Sequence, residues 1–223
     1  VTSLSQHLLV LAGAGSGKTR VLAHRIAWLI ETTQISPWSI IAVTFTNKTA
    51  REMRGRIETL LHLDTQSMWI GTFHSLSHRL LRRHWQEAGL SQQFQILDNE
   101  DQLGLLKRIC KQLQLDENLW PVRQFQNFIN NSKDAGLQPQ DIDVQGSDQL
   151  ASQVQVYQAY QTACERGALV DFGELLLRSH KLWLQRPDIL QHYQNRFQHL
   201  LVDEFQDTNT IQYAWLRTLA GSS

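Results

Sequence analysis

An α/β fold, with a parallel sheet interrupted by a long helical insertion, follows from three observations. Over residues 1–74, short apolar and β-branched runs alternate with helical patterns. From about 75 to 196 only helical patterns recur. An apolar run then returns at Leu200–Val202, followed by one more helical pattern. Alternation of strand and helix selects a parallel sheet, because parallel neighbours need a crossover connection. With 223 residues and 42% hydrophobic content, the chain can bury one large core or two modest ones.

The elements follow in order. Leu8–Leu11 reads as a first buried strand, and Lys18–Ile30 as a helix with Val21, Leu22, Ile26 and Leu29 at helical spacing. Ile40–Phe45 and Met68–Phe73 read as the second and third strands. The helix Lys48–Leu61 between them carries Met53, Ile57 and Leu60 on one face. Six amphipathic stretches fill the insertion, with no convincing strand: Leu76–Trp85, Asp101–Leu113, Val122–Asn131, Ala151–Glu165, Phe172–Trp183 and Asp188–Phe197. Turns fall at Gly89, Gly136, Gly146 and Pro187. Leu200–Val202 is the fourth strand.

Composition narrows the chemistry. Lys plus Arg equals Asp plus Glu, 21 against 21, so any nucleic-acid site is local rather than a global field. The cysteines, Cys110 and Cys164, lack metal-type spacing and suit the reducing cytoplasm. No apolar run approaches membrane-spanning length, so no membrane partner is expected. Both ends read as cuts through a longer protein.

The tract AGAGSGKT, Ala12 to Thr19, joins the first strand to the first helix. Glycines there let backbone N–H groups close around phosphate oxygens, and the helix N-terminus adds its dipole. Lys18 would reach the terminal phosphates of a nucleoside triphosphate, and Thr19 would place its hydroxyl on Mg²⁺. Ala12 stands where the strict template has glycine, and a small residue still permits the turn. A mobile Gly/Ser loop is the bland alternative, disfavoured by the Lys-Thr that follows.

Leu200–Val202 ends in Asp203 and Glu204. Ligands of open parallel sheets sit beyond the strands' carboxyl ends, so both carboxylates face the loop's edge. Asp203 would hold Mg²⁺ and Glu204 would deprotonate the attacking water. At the ends of the second and third strands, Phe45, Thr46 and Asn47, then Thr72, Phe73 and His74, combine aromatic faces with hydroxyl and amide donors. That combination grips single strands without sequence preference. Phe45 and Phe73 read equally well as strand-end core residues.

Taken together, AGAGSGKTRVLAHRIAWL, AVTFTNKTAREM, GTFHSLSHRLLR, FQILDNEDQLGLLKR, LVDFGELLLRSHKLWL and HLLVDEFQDTNTIQYAWLRTLAG resemble the N-terminal part of superfamily 1A DNA helicases, the UvrD/Rep/PcrA group, with the bacterial UvrD branch nearest. The resemblance implies a RecA-like P-loop NTPase subdomain (1A) over 1–74 and 197–223, with an inserted all-helical subdomain (1B) over 75–196. It implies ATP and Mg²⁺ bound by Ala12, Gly13, Ala14, Gly15, Ser16, Gly17, Lys18, Thr19 and Arg20, with Asp203 as the second metal ligand. Glu204 and Lys18 would be catalytic. Phe45, Thr46, Asn47, Thr72, Phe73 and His74 would contact single-stranded DNA, and Asp171-Phe172 matches a short motif near the insertion's end.

The implied activity is ATP-driven 3′-to-5′ translocation and unwinding, at single-strand/duplex junctions, in DNA repair and replication restart. The implied location is the bacterial cytoplasm, at the nucleoid, with repair or replication proteins as partners of the parent. The adenine-reading glutamine is not supplied by Gln6, which stands too close to the first strand. The third motif and the arginines of a second RecA-like domain would lie outside this chain. The isolated chain is therefore expected to bind nucleotide and single strand weakly, without efficient turnover. A helicase-nuclease of the RecB/AddA type shares these motifs and is the alternative. A P-loop kinase is disfavoured, since Glu204 supplies a base for water.

Overall fold

A computed structural model describes residues 1–3, 7–13, 15–116 and 119–221. Two compact units divide the chain: 1–76 with 187–208 and 219–223, and 77–186 with 209–218.

The first unit is built on a three-stranded parallel sheet. Its strands are β1 (Ile40–Thr44), β2 (Trp69–Thr72) and β5 (His199–Val202), in the order β2-β1-β5. Ile41 pairs with both Trp69 and Leu200, and Val43 with both Gly71 and Val202. All five residues of β1 are buried, the burial expected of a central parallel strand covered on both faces. Helices α1 (Lys18–Glu31) and α2 (Asn47–Leu61) pack on each other, and their Ala23, Ile26, Leu29, Met53 and Ile57 share one cluster with Ile40, Ala42 and Ile70. Thr46 caps α2 by accepting a hydrogen bond from the Thr49 N–H at 3.1 Å, and His62 ends it in the left-handed region at φ 51°. Helix α8 (Pro187–Arg196) brings Tyr193 edge-on to Trp69 at 5.5 Å, with Phe197 5.2 Å from the same indole. That aromatic trio binds α8 to this unit, so the chain returns to it at Pro187, ten residues before the expected boundary.

Two expectations fail in this unit. Leu8–Leu11 forms no strand among the described residues, and Leu11 is 85% exposed. The run has the apolarity of a buried strand but no ladder partner, and apolarity alone does not make a strand. The inward stripe of α1 also runs through Ala23, Ile26, Ala27 and Leu29 and leaves Val21 exposed; on α2, Leu60 is likewise exposed.

The second unit includes α4 (Asn99–Gln112), α5 (Val122–Asp134), α6 (Asp148–Arg166) and α7 (Phe172–Gln185). It also takes most of α3 (Phe73–Arg83) and of α9 (Thr210–Ala220). Leu106, Ile109, Phe125, Ile129, Val156, Tyr157 and Tyr160 form its core. The helices start where local chemistry dictates. Asp98 accepts from the Glu100 and Asp101 N–H groups, Ser147 from Leu150, and Asp171 from Glu174. The insertion also holds strands, contrary to expectation: β3 (Gln95–Leu97) and β4 (Leu169–Asp171) pair in parallel. Three residues are too few to show a period of two, so the pattern of apolar residues cannot announce them.

Beneath this ribbon lies a buried ionic cluster. Lys133 Nζ stands 2.7 Å from Asp171 Oδ2 and 3.1 Å from Glu174 Oε2, with its side chain 1% exposed. The Tyr160 hydroxyl donates to Asp171 Oδ2 at 2.7 Å, and Arg178 Nε donates to Glu174 Oε1 at 2.9 Å. Burial pushes the Glu174 carboxyl up, but Lys133 and then Arg178 pull it lower still, to about 2. Burial works against the charge of Lys133 too, and Glu174 and Asp171 override it, raising its pKa.

Candidate functional site

The site is assembled at the carboxyl edge of the sheet in the first unit. The ladder continues past β5, where the Asp203 N–H donates to the Val43 carbonyl at 2.9 Å, so Asp203 is held by backbone and buried. Its Oδ2 accepts from the Thr19 hydroxyl at 2.7 Å, across 184 positions of sequence. Thr19 lies in the first turn of α1. Gly17 precedes that turn at φ 87°, a backbone that favours glycine, and its carbonyl takes the first helical hydrogen bond, from Val21 at 3.0 Å.

The loop before α1 is closed on itself. The Ser16 hydroxyl donates to the Gly13 carbonyl at 2.7 Å, and Lys18 Nζ donates to the Ala12 carbonyl at 3.2 Å. Ala12, Gly13, Gly15, Ser16 and Gly17 are exposed, Lys18 and Thr19 half-buried; Ala14, like Gln6, lies outside the described residues. Exposed Arg20 sits at the rim of a groove of about 560 Å³ between α1 and α2, with His24, Glu52 and Arg56.

Glu204 follows Asp203 with φ 51° and ψ 44°, a left-handed conformation uncommon outside glycine. Its Oε2 meets Lys18 Nζ at 3.3 Å and accepts a short hydrogen bond from Gln206 Nε2. The Gln206 hydrogen bond, and behind it the Lys18 contact, keep the Glu204 carboxyl below the ordinary carboxylate range. Lys18, Thr19, Asp203 and Glu204 are thus brought together as their motifs predict. Gln206 is the member that motif reading left without a role; its short spacing from Glu204 was the available signal.

The hydroxyl of Thr19 and the carboxylate of Asp203 are hard oxygen donors in mutual contact. They suit Mg²⁺, which keeps most of its shell for phosphate and water. Among the described residues, no group of three or more His, Cys, Asp or Glu gathers to cage a metal by protein alone.

The six residues expected at DNA separate by exposure. Thr46 and Asn47 are exposed, and Phe45 and His74 are half-buried. Phe73 is 1% exposed and packs edge-on to Phe45 at 5.6 Å, so it offers no face to a base and instead braces the half-buried Phe45 ring. Thr72 is also buried, its hydroxyl accepting from the Ser75 N–H at 3.2 Å at the head of α3. No helix among the described residues is long and apolar enough to cross a membrane.

Known proteins carry the same arrangement of sequence. The chain is 60% identical over all 223 residues to DNA helicase II of Escherichia coli (strain K12), covering 31% of that protein. It is 45% identical over 218 residues to the ATP-dependent DNA helicase PcrA of Leuconostoc citreum, and 43% over 216 residues to that of Bacillus subtilis (strain 168). Those matches take in 97% and 96% of this chain and 29% of each relative, so the chain spans just under a third of the proteins it matches. The family model for the UvrD/REP helicase N-terminal domain matches residues 1–223, and with its phosphate loop and carboxylate pair in contact the chain belongs to that family.

Proposed function

We propose that this chain is the ATP-binding portion of a DNA helicase that moves 3′ to 5′ along single strands and opens duplexes at junctions. The observation that carries the reading is the Thr19–Asp203 hydrogen bond, which joins the phosphate loop to the strand-end carboxylate. In this reading the first unit serves as subdomain 1A and the second as subdomain 1B. Lys18 leaves its partners to neutralise the terminal phosphates. Thr19 and Asp203 hold Mg²⁺, which supplies further charge neutralisation when bound. Glu204 orients the attacking water and takes its proton. Phe45, with Thr46 and Asn47, lies beside the strand, stacking a base and holding phosphate or sugar. DNA repair or replication proteins would act through the whole protein.

Glu204→Gln in the full-length protein tests this. Nucleotide binding, measured by equilibrium titration, should hold to within about twofold, while DNA-stimulated hydrolysis and unwinding fall by about 10²-fold or more. Retained hydrolysis, or loss of binding, would sink the assignment. By itself, this chain should bind nucleotide and single strand weakly and turn over near background. The described contacts bring one cation, Lys18, to the carboxylates, and a transition-state arginine supplies about 10³-fold or more in such sites. An ATPase assay of the chain with excess single-stranded DNA reads this, and helicase-like turnover would refute it.

A further inference from the structure

Lys18 cannot serve Glu204 and a terminal phosphate with equal strength. Its Nζ is committed here to Glu204 Oε2 at 3.3 Å and to the Ala12 carbonyl at 3.2 Å. When phosphate draws the ammonium away, Glu204 loses one of the two contacts on its Oε2. The other is the amide of Gln206. The Glu204 side chain is 37% exposed, so packing holds its carboxylate only in part, and a loosely held glutamate side chain keeps much of its rotamer freedom.

The backbone around Gln206 is well held. Residues Phe205–Asp207 form a 3₁₀ turn in which the Asp207 N–H donates to the Glu204 carbonyl at 2.9 Å, and the Thr208 hydroxyl donates to the Phe205 carbonyl at 2.9 Å. The Gln206 amide also lies 3.4 Å from Asp207 Oδ2, so it stands between two carboxylates and belongs to the turn rather than to the loop. Its hold on Glu204 therefore does not depend on where Lys18 points. A water-activating carboxylate must be aimed as well as ionised, because misplacement alone costs rate.

We propose that Gln206 is a positioning residue for hydrolysis: its amide keeps the Glu204 carboxylate at the phosphate loop after Lys18 has turned to the nucleotide. The inference rests on the reading of Glu204 as the group that takes the proton from water. Its test compares Gln206→Leu, Gln206→Asn, Glu204→Gln and the Glu204→Gln/Gln206→Leu pair in the full-length protein. Losing one hydrogen bond to a charged group at the moment of attack predicts a fall in kcat of about tenfold for Gln206→Leu. The KM for ATP, the affinity for a fluorescent ADP analogue and the melting temperature should stay unchanged. Gln206→Asn, which keeps the amide on a shorter stem, should recover part of the loss, and the pair should be no slower than Glu204→Gln alone.

An unchanged kcat in Gln206→Leu overturns the proposal. So does a parallel loss of nucleotide affinity and melting temperature, which would mark a structural role. If Glu204→Gln itself keeps full turnover, the reading of Glu204 fails. If Glu204→Gln is dead while Gln206→Leu keeps its full kcat, only the Gln206 inference fails.

Discussion

Lys133→Met should destabilise the chain by about 3–5 kcal/mol, because it leaves Asp171 and Glu174 buried without their cation. For a chain of this size that is a fall of roughly 6–20 °C in melting temperature, readable by calorimetry or by urea unfolding. Methionine fills nearly the same volume, so the loss would report charge rather than a cavity. The Tyr160 hydroxyl and the Glu174 N–H still reach Asp171, and Arg178 still reaches Glu174, which sets the lower end of the range.

The pH dependence discriminates this account from simple packing damage. In the unaltered chain the folded Glu174 titrates near 2 against an ordinary 4.5, so its contribution is full above 4.5 and is lost as pH falls towards 2. In Lys133→Met, burial of the Glu174 carboxyl is left less opposed and its folded pKa shifts upward, so protonation favours the folded state. The stability gap between the two proteins should therefore narrow as pH falls from about 5 to about 2. A gap independent of pH would mean that the lysine stem, not its charge, is what matters.

What the sequence makes legible follows from the range of the interactions involved. The Ile40–Thr44 run is apolar throughout and folds as the central strand, since burial on both faces needs no alternation. Leu8–Leu11 has the same signature, yet a strand also needs a neighbour, and local apolarity says nothing of pairing. The β3–β4 ribbon joins residues more than seventy positions apart through three pairs, too short a run to leave a period. Lys133 reads as an ordinary polar residue near a helix end, because its partners lie 38 and 41 positions on. The meeting of the Ala12–Thr19 loop with Asp203-Glu204 is legible for the opposite reason: each is a local tract whose pattern is carried by adjacent residues. Phe45 and Phe73 remain indistinguishable by sequence, and only burial separates the half-exposed ring from its brace.

Lys18→Met sets the same kind of ion pair in the opposite environment. Lys18 and Glu204 meet at 3.3 Å with side chains 21% and 37% exposed, where Lys133 and Glu174 meet at 3.1 Å almost wholly buried. Solvent screens the exposed pair, so its loss should lower the unfolding free energy by no more than about 1 kcal/mol. Function should respond differently. A cation about 4 Å from a phosphate charge, in a partly screened cleft, is worth about 4 kcal/mol, or roughly 10³ in kcat/KM. In the full-length protein, Lys18→Met should therefore lose ATP hydrolysis by about that factor and weaken triphosphate binding, with melting almost unchanged. Lys18→Arg, which keeps the charge but not the compact ammonium, should restore binding better than turnover. A large drop in melting temperature for Lys18→Met would mean that the pair holds the loop together. Unaltered hydrolysis would mean that the loop is not where the phosphates bind.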